Sequence, residues 1–162
     1  MTKKMKEDGL LPQDFVIKVS VQMMAANPVS IRLIQDIGAD TYNVPTALTL
    51  PKLAAIRAAI DIPIDLYVEV SDNFGGFLRY YEIPERIRIL APVYIKFGLR
   101  NHPDVYPSGK HLEAQNLALA KERVHLAKIG AEMIKRYTPN AITSKKGAEH
   151  LGIMKFFNQT VT

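Results

Sequence analysis

Glu69 and Lys96 are the residues whose type and spacing most readily suggest chemistry. Each stands near the end of a run that alternates apolar and polar residues, Ile64–Val70 and Val93–Leu99. Alternation with period two marks a strand with two different faces. If the two strands are neighbours, an acid and an amine meet near their C-terminal ends. Burial favours the neutral amine that Schiff-base chemistry requires, and Glu69 would then serve as acid or base. The same pair would equally serve as an interior ion pair that fills the mouth of the site.

Loop chemistry follows both runs. Gly75-Gly76 comes after the first, and Gly98, Arg100 and Asn101 lie at the end of the second. Such loops can cradle a phosphate or another anion through backbone N–H groups, with Arg100 adding a bidentate contact. Glycines also turn tight corners with no ligand involved. Gln22 and Asn43, at the ends of two earlier strands, are suited to orienting a substrate or to satisfying loop backbone. These residues form the candidate site: Glu69 and Lys96 catalytic; Gln22, Asn43, Gly75, Gly76, Arg100 and Asn101 substrate-binding. His102, His111 and Glu113 match no strong metal-binding spacing, so no metal site is assigned. The cofactor is left open. No nucleophile elbow, Walker loop or dinucleotide fingerprint occurs.

Four strand–helix units position these residues. The strands are expected over Phe15–Gln22, Asp40–Val44, Ile64–Val70 and Val93–Leu99. Asn27-Pro28 opens the first helix, in which Ile31, Leu33, Ile34 and Ile37 make an apolar stripe that ends at Gly38. Thr49 caps the second, and Pro84 restarts the third. The longest helix runs from about His111 to Tyr137, with Leu117, Ala120, Val124, Ala127, Ala131 and Ile134 at helical spacing. Residues 1–13 read as a mobile polar leader, 14–137 as the (βα)4 domain, and 138–162 as a tail. That tail has a possible short helix around Ala148–Phe157, with Phe156 and Phe157 docking.

Alternating strands and helices call for a parallel α/β sheet with right-handed crossovers. Every strand has one apolar row and one polar or mixed row. A doubly wound sheet, covered on both faces, would be apolar on both. A (β/α) barrel carries polar groups inside, near the strand C-termini. Four units make half of a TIM-type barrel, and an open four-stranded sheet is the alternative. The long final helix favours a segment carrying the last four units of a barrel. A half-barrel that pairs with another copy, as a homo-oligomer, is the other outcome.

Charge and composition narrow the partners. The chain has 162 residues, enough for one domain, and a net charge of +5. Of that charge, +1 lies in residues 1–10 and +2 in residues 138–162, which leaves +2 for the middle. Without a Lys/Arg stripe, nucleic acid is not an expected partner. No apolar run approaches a membrane span, and a cytoplasmic location is the default. There is no cysteine, which excludes disulfides, thiolate metal sites and a cysteine nucleophile.

The runs Val19–Ala25, Gly38-Ala39-Asp40, Asp65–Val70, Gly75-Gly76-Phe77 with Arg79–Glu85, and Lys96–Asn101 with Tyr106-Pro107-Ser108-Gly109 resemble a known family. They resemble bacterial proteins grouped with the collagenase-like peptidases of unknown catalytic type, family U-thirty-two. The resemblance covers roughly residues 15–137. It implies a barrel-type α/β fold, a longer parent chain with further units upstream, and a peptidase-like hydrolase label. The family's cysteine-containing signature, and the cysteine-bound iron–sulfur clusters of some relatives, have no counterpart here, so no catalytic residue is carried over. The functional expectation is a barrel enzyme, a hydrolase or a lyase of the aldolase type. It would act on a small polar or anionic substrate, or a peptide, at the strand C-termini. The alternative is a non-catalytic half-barrel module that oligomerises or completes a barrel with a partner.

Overall fold

A computed structural model describes residues 1–143 of the chain. Four strands form one parallel sheet in the order β1 (Lys18–Val19), β2 (Thr41–Val44), β3 (Ile64–Glu69) and β4 (Val93–Phe97). Between and after them come α2 (Pro28–Asp36), α3 (Leu50–Ala59), α4 (Ile83–Leu90) and the long α5 (Glu113–Tyr137). The α/β class, the four parallel strands and the long C-terminal helix are those expected. The helix expected around Ala148–Phe157, with Phe156 and Phe157, lies outside the described residues.

Strand order follows chain order. With right-handed crossovers, that order keeps every helix on one face of the sheet. The core agrees with this layering. Tyr42, Val44, Ile64, Leu66 and Val68 pack with Ile31 and Ile34 of α2, Leu53 and Ile56 of α3, and Ile83 and Leu90 of α4. The opposite row, Thr41, Asn43, Asp65, Tyr67, Tyr94 and Lys96, therefore points away from the helices. Neighbouring helices touch in sequence, α2 on α3, α3 on α4 and α4 on α5. Tyr42 anchors the buried side: its hydroxyl donates to the Ala25 carbonyl at 2.9 Å. Arg86 of α4 is buried and donates to the Leu48 carbonyl at 3.0 Å and to Glu82 at 3.1 Å, which ties α4 to the start of α3.

Several elements differ from expectation. The first strand is two residues long instead of eight. Ser20 accepts from the Gln22 amide at 3.2 Å and caps a 3-10 turn over Val21–Met23, which ends the strand early. Residues 1–13, expected as a mobile leader, include helix α1 (Thr2–Glu7). Lys6 ties it down by donating to the Phe15 carbonyl at 2.7 Å, with Asp40 3.8 Å away. On α2 only Ile31 and Ile34 of the expected stripe are buried, while Leu33 and Ile37 are exposed. On α5, Leu117 and Val124 are exposed as well, and Gly130 is the buried residue, seated on the Phe97 ring.

Candidate functional site

The open row of the sheet converges on Asp65. Its side chain is 3% exposed. Lys18 of β1 lies 3.1 Å from it and Lys96 of β4 3.9 Å, both measured to Oδ2. One buried acid thus holds two ammonium groups brought from the two edges of the sheet. Lys96 also donates to Asn43 Oδ1 at 3.2 Å and sits 4.3 Å from the Tyr67 ring centroid, in cation–π range. Lys18 lies 5.2 Å from the Tyr94 ring centroid. Parallel register explains the convergence: Asn43 pairs with Asp65, and Tyr67 pairs with Lys96.

Two adjoining cavities open over this row. The first, about 440 Å³, is lined by Lys18, Gln22, Asn43, Asp65, Tyr67 and Lys96 among others. The second, about 920 Å³, continues past the strand ends to Asn101, His102, Tyr106 and Arg123. Gln22, Tyr67, Val70 and Phe74 line both. The cleft has the size and mixed lining of a small-molecule site.

The expected pairing of Glu69 with Lys96 does not form. A register shift falls between Tyr67 and Glu69, so Glu69 pairs with Phe97. Such a bulge re-aims the side chains on its strand. Glu69 Oε1 accepts from the Tyr80 hydroxyl at 2.8 Å, and the Tyr80 ring stacks on Phe97 with centroids 6.4 Å apart. Glu69 lines neither cavity. Burial raises the Tyr80 phenol well above its ordinary value, helped by the Glu69 hydrogen bond and charge and by Glu122 of α5. An unfolded tyrosine ionises at about pH 10, while the folded Tyr80 holds its proton. Its contribution is complete below that value and is lost as pH rises above it. Tyr80→Phe is therefore expected to flatten the alkaline fall in stability, read from thermal melts taken at a series of pH values above neutrality.

The amides of the glycine loop are engaged within the fold. The Gly75 amide donates to the Asp72 carbonyl at 3.1 Å and the Gly76 amide to the Ser71 carbonyl at 3.3 Å. The Gly98 amide donates to the Glu69 carbonyl at 3.1 Å. Donors that a loop spends on itself are not free for a phosphate. Gly75 has φ +110°, and a Cβ there would meet the Thr46 and Ala47 amide nitrogens at 2.8 and 2.7 Å. Its smallness lets two loops touch. Arg100 and Asn101 close a second loop contact: Arg100 Nε and Asn101 Nδ2 each donate to Asp72, both at 2.6 Å. The Arg100 bond and then the Asn101 bond hold the Asp72 carboxyl below its usual range. Arg100 also lies 4.9 Å from the Phe77 ring centroid.

Of the expected site residues, Lys96, Asn43 and Gln22 come together in the cleft. Asn101 reaches its far end. Gly75, Gly76 and Arg100 belong to the loop contacts around Asp72, a clasp beside the cleft, and Glu69 turns to Tyr80. Asp65 and Lys18, the residues that organise the site, stand in the alternating polar rows. Nothing local marks them, because their strands are distant in sequence. Among the described residues, no cluster of three or more His, Cys, Asp or Glu is placed to hold a metal, and no helix is long and apolar enough to cross a membrane. No family model, curated protein or solved structure matches the chain.

Proposed function

We propose that the chain is a four-unit sector of a barrel-type α/β protein that binds a small anionic ligand in the cleft that runs along the open face of its sheet toward the C-terminal ends of the strands. The ligand carries a carboxylate or a phosphate, the C-terminal carboxylate of a peptide included. Lys96 and Lys18 are its cationic contacts, and Asn43 and Gln22 orient its polar groups. The observation that carries this reading is the pair of lysines on one buried Asp65, set in the wall of an open cleft. Three charges of alternating sign leave the cluster with a net +1, and an incoming anion completes the neutralisation. The barrel part rests on the sequential strand order, the single helix layer and the polar open face. The resemblance to the collagenase-like peptidases implies the same barrel sector.

Titration with phosphate, small dicarboxylates, and peptides with free or amidated C-termini tests the proposal. Saturable binding is expected for at least one anion. Lys96→Ala should weaken it by roughly 10- to 100-fold, the loss of one charge-assisted hydrogen bond worth about 1.5–3 kcal/mol. Arg100→Ala, outside the cleft, should leave affinity unchanged. Unchanged affinity in Lys96→Ala would refute the assignment. Borohydride trapping with a keto acid reads the catalytic form of the proposal. A mass increment on Lys96 marks a Schiff base, and its absence limits the site to binding.

A further inference from the structure

We infer that two copies of this chain close into one eight-stranded barrel about a two-fold axis, with α2 of each copy packed against α5 of the other. The inference rests on the half-barrel part of the proposed function. It starts from the two outermost helices of the layer. On α2 and its C-cap, Val29, Leu33 and Ile37 recur every four residues and are 61–80% exposed. That spacing puts all three on one helix face. The inner side of α2 carries Ile31 and Ile34. Its α3 side is marked by Arg32, which donates to the Ala59 carbonyl, and by Gln35, which donates to Asp61. By helical rotation the exposed stripe lies on the flank away from α3.

The far end of the layer repeats the arrangement. On α5, Leu117 and Val124 are 54% and 57% exposed and line a surface groove with Ala120 and Lys121. Gly130 marks the face toward the sheet, and Glu122, close enough to act on Tyr80, marks the α4 side. Leu117 and Val124 again fall on the opposite flank. The two ends of one helix layer thus each present an apolar strip outward. The sheet ends match them, since among the described residues β1 and β4 each pair with one neighbour only.

Four of the eight strands of such a barrel span half a turn. A second copy rotated by half a turn supplies the other four. In that pairing β4 meets β1 and α5 meets α2, twice over. The two-fold axis makes the interface isologous, so the assembly closes as a dimer instead of growing into a filament. Because the seam is used twice, each needs to bury only roughly 600–1,000 Å² to reach the roughly 1,200–2,000 Å² of a stable interface. Five large aliphatic side chains per seam, with the strand edges, suit that demand. The closure also encloses the Lys18–Asp65–Lys96 row.

Sedimentation equilibrium of the full chain is expected to show a dimer. Leu33→Glu and Val124→Glu should each weaken it at least tenfold, with far-UV circular dichroism unchanged because both side chains are exposed in the single copy. The cysteine-free chain permits a sharper test. A short bis-maleimide should link Leu33→Cys chains to Val124→Cys chains and join neither variant to itself. A monomer at high micromolar concentration would overturn the closure. So would self-linking of Val124→Cys, which would mean that α5 pairs with α5. A monomer that still binds the anion would sink the closure and leave the ligand proposal standing; a dimer without anion binding would do the reverse.

Discussion

Replacing Asp65 with Ala is expected to lower stability by about 1–3 kcal/mol, and an added anion should restore part of that loss by taking the place of the carboxylate between Lys18 and Lys96. Removing one partner of a buried ion pair costs roughly 3–5 kcal/mol when the other charge stays trapped. Here the side chains of Lys18 and Lys96 are 44% and 24% exposed, so water screens part of the loss. The two ammonium groups would then face each other with no carboxylate between them, and Lys96 would keep its Asn43 hydrogen bond but lose its counter-ion. Urea unfolding followed by circular dichroism measures the change, with the midpoint falling and the slope unchanged. The triple variant Asp65→Leu, Lys18→Met, Lys96→Met should recover most of the stability, because a packed apolar cluster of similar volume replaces a buried ion group at little cost. It should no longer bind the anion, because both cationic contacts are gone. Wild-type stability in Asp65→Ala would show that Asp65 does not organise the cluster.

Gly75→Ala is expected to cost about 2–4 kcal/mol, combining an unfavourable positive φ with overpacking against backbone. At φ +110° a side chain is strained, and the new methyl would lie 2.7–2.8 Å from amide nitrogens that cannot swing aside. Gly76→Ala offers the comparison. Its φ of +69° is the milder left-handed region, and the nearest atom to a Cβ is the Asp72 carboxylate oxygen at 3.0 Å, the end of a side chain. Its cost is expected to be about 1 kcal/mol. Thermal melts separate the two, since 1 kcal/mol moves the midpoint of a domain of this size by about 2–4 °C. Anion affinity should survive in Gly76→Ala. A large affinity loss there would return the phosphate-cradle reading that the hydrogen bonds of the loop speak against.

The clasp and the cleft differ in how far local pattern predicts them. Lys96, Asn43 and Gln22 were legible because strand alternation assigns residues to faces, and all three fall on polar rows near strand ends. Glu69 falls on the same row by parity, but one shifted residue between Tyr67 and Glu69 sends it to Tyr80 instead. A bulge has no composition signal of its own. Arg100 and Gly75 look like ligand contacts from residue type alone. What decides otherwise is the spending of their hydrogen bonds on Asp72, and of space on Thr46, contacts between loops that are far apart in sequence. The helix stripes show the same limit. Periodicity shows that Leu33, Ile37, Leu117 and Val124 lie on helix faces, and only the position of α2 and α5 at the ends of the layer leaves those faces open.

By itself the sequence determined the α/β class, the four parallel strands, the long last helix and the polar row on the open face of the sheet. Those follow from short-range rules: period two against period 3.6, capping residues, and proline or glycine punctuation. Tertiary structure decided which acid meets Lys96, that Lys18 joins it from the far edge, and which glycines are spacers. Those outcomes depend on strand register and on the close approach of separate loops, which are set when the whole sheet packs and not within any one stretch of chain.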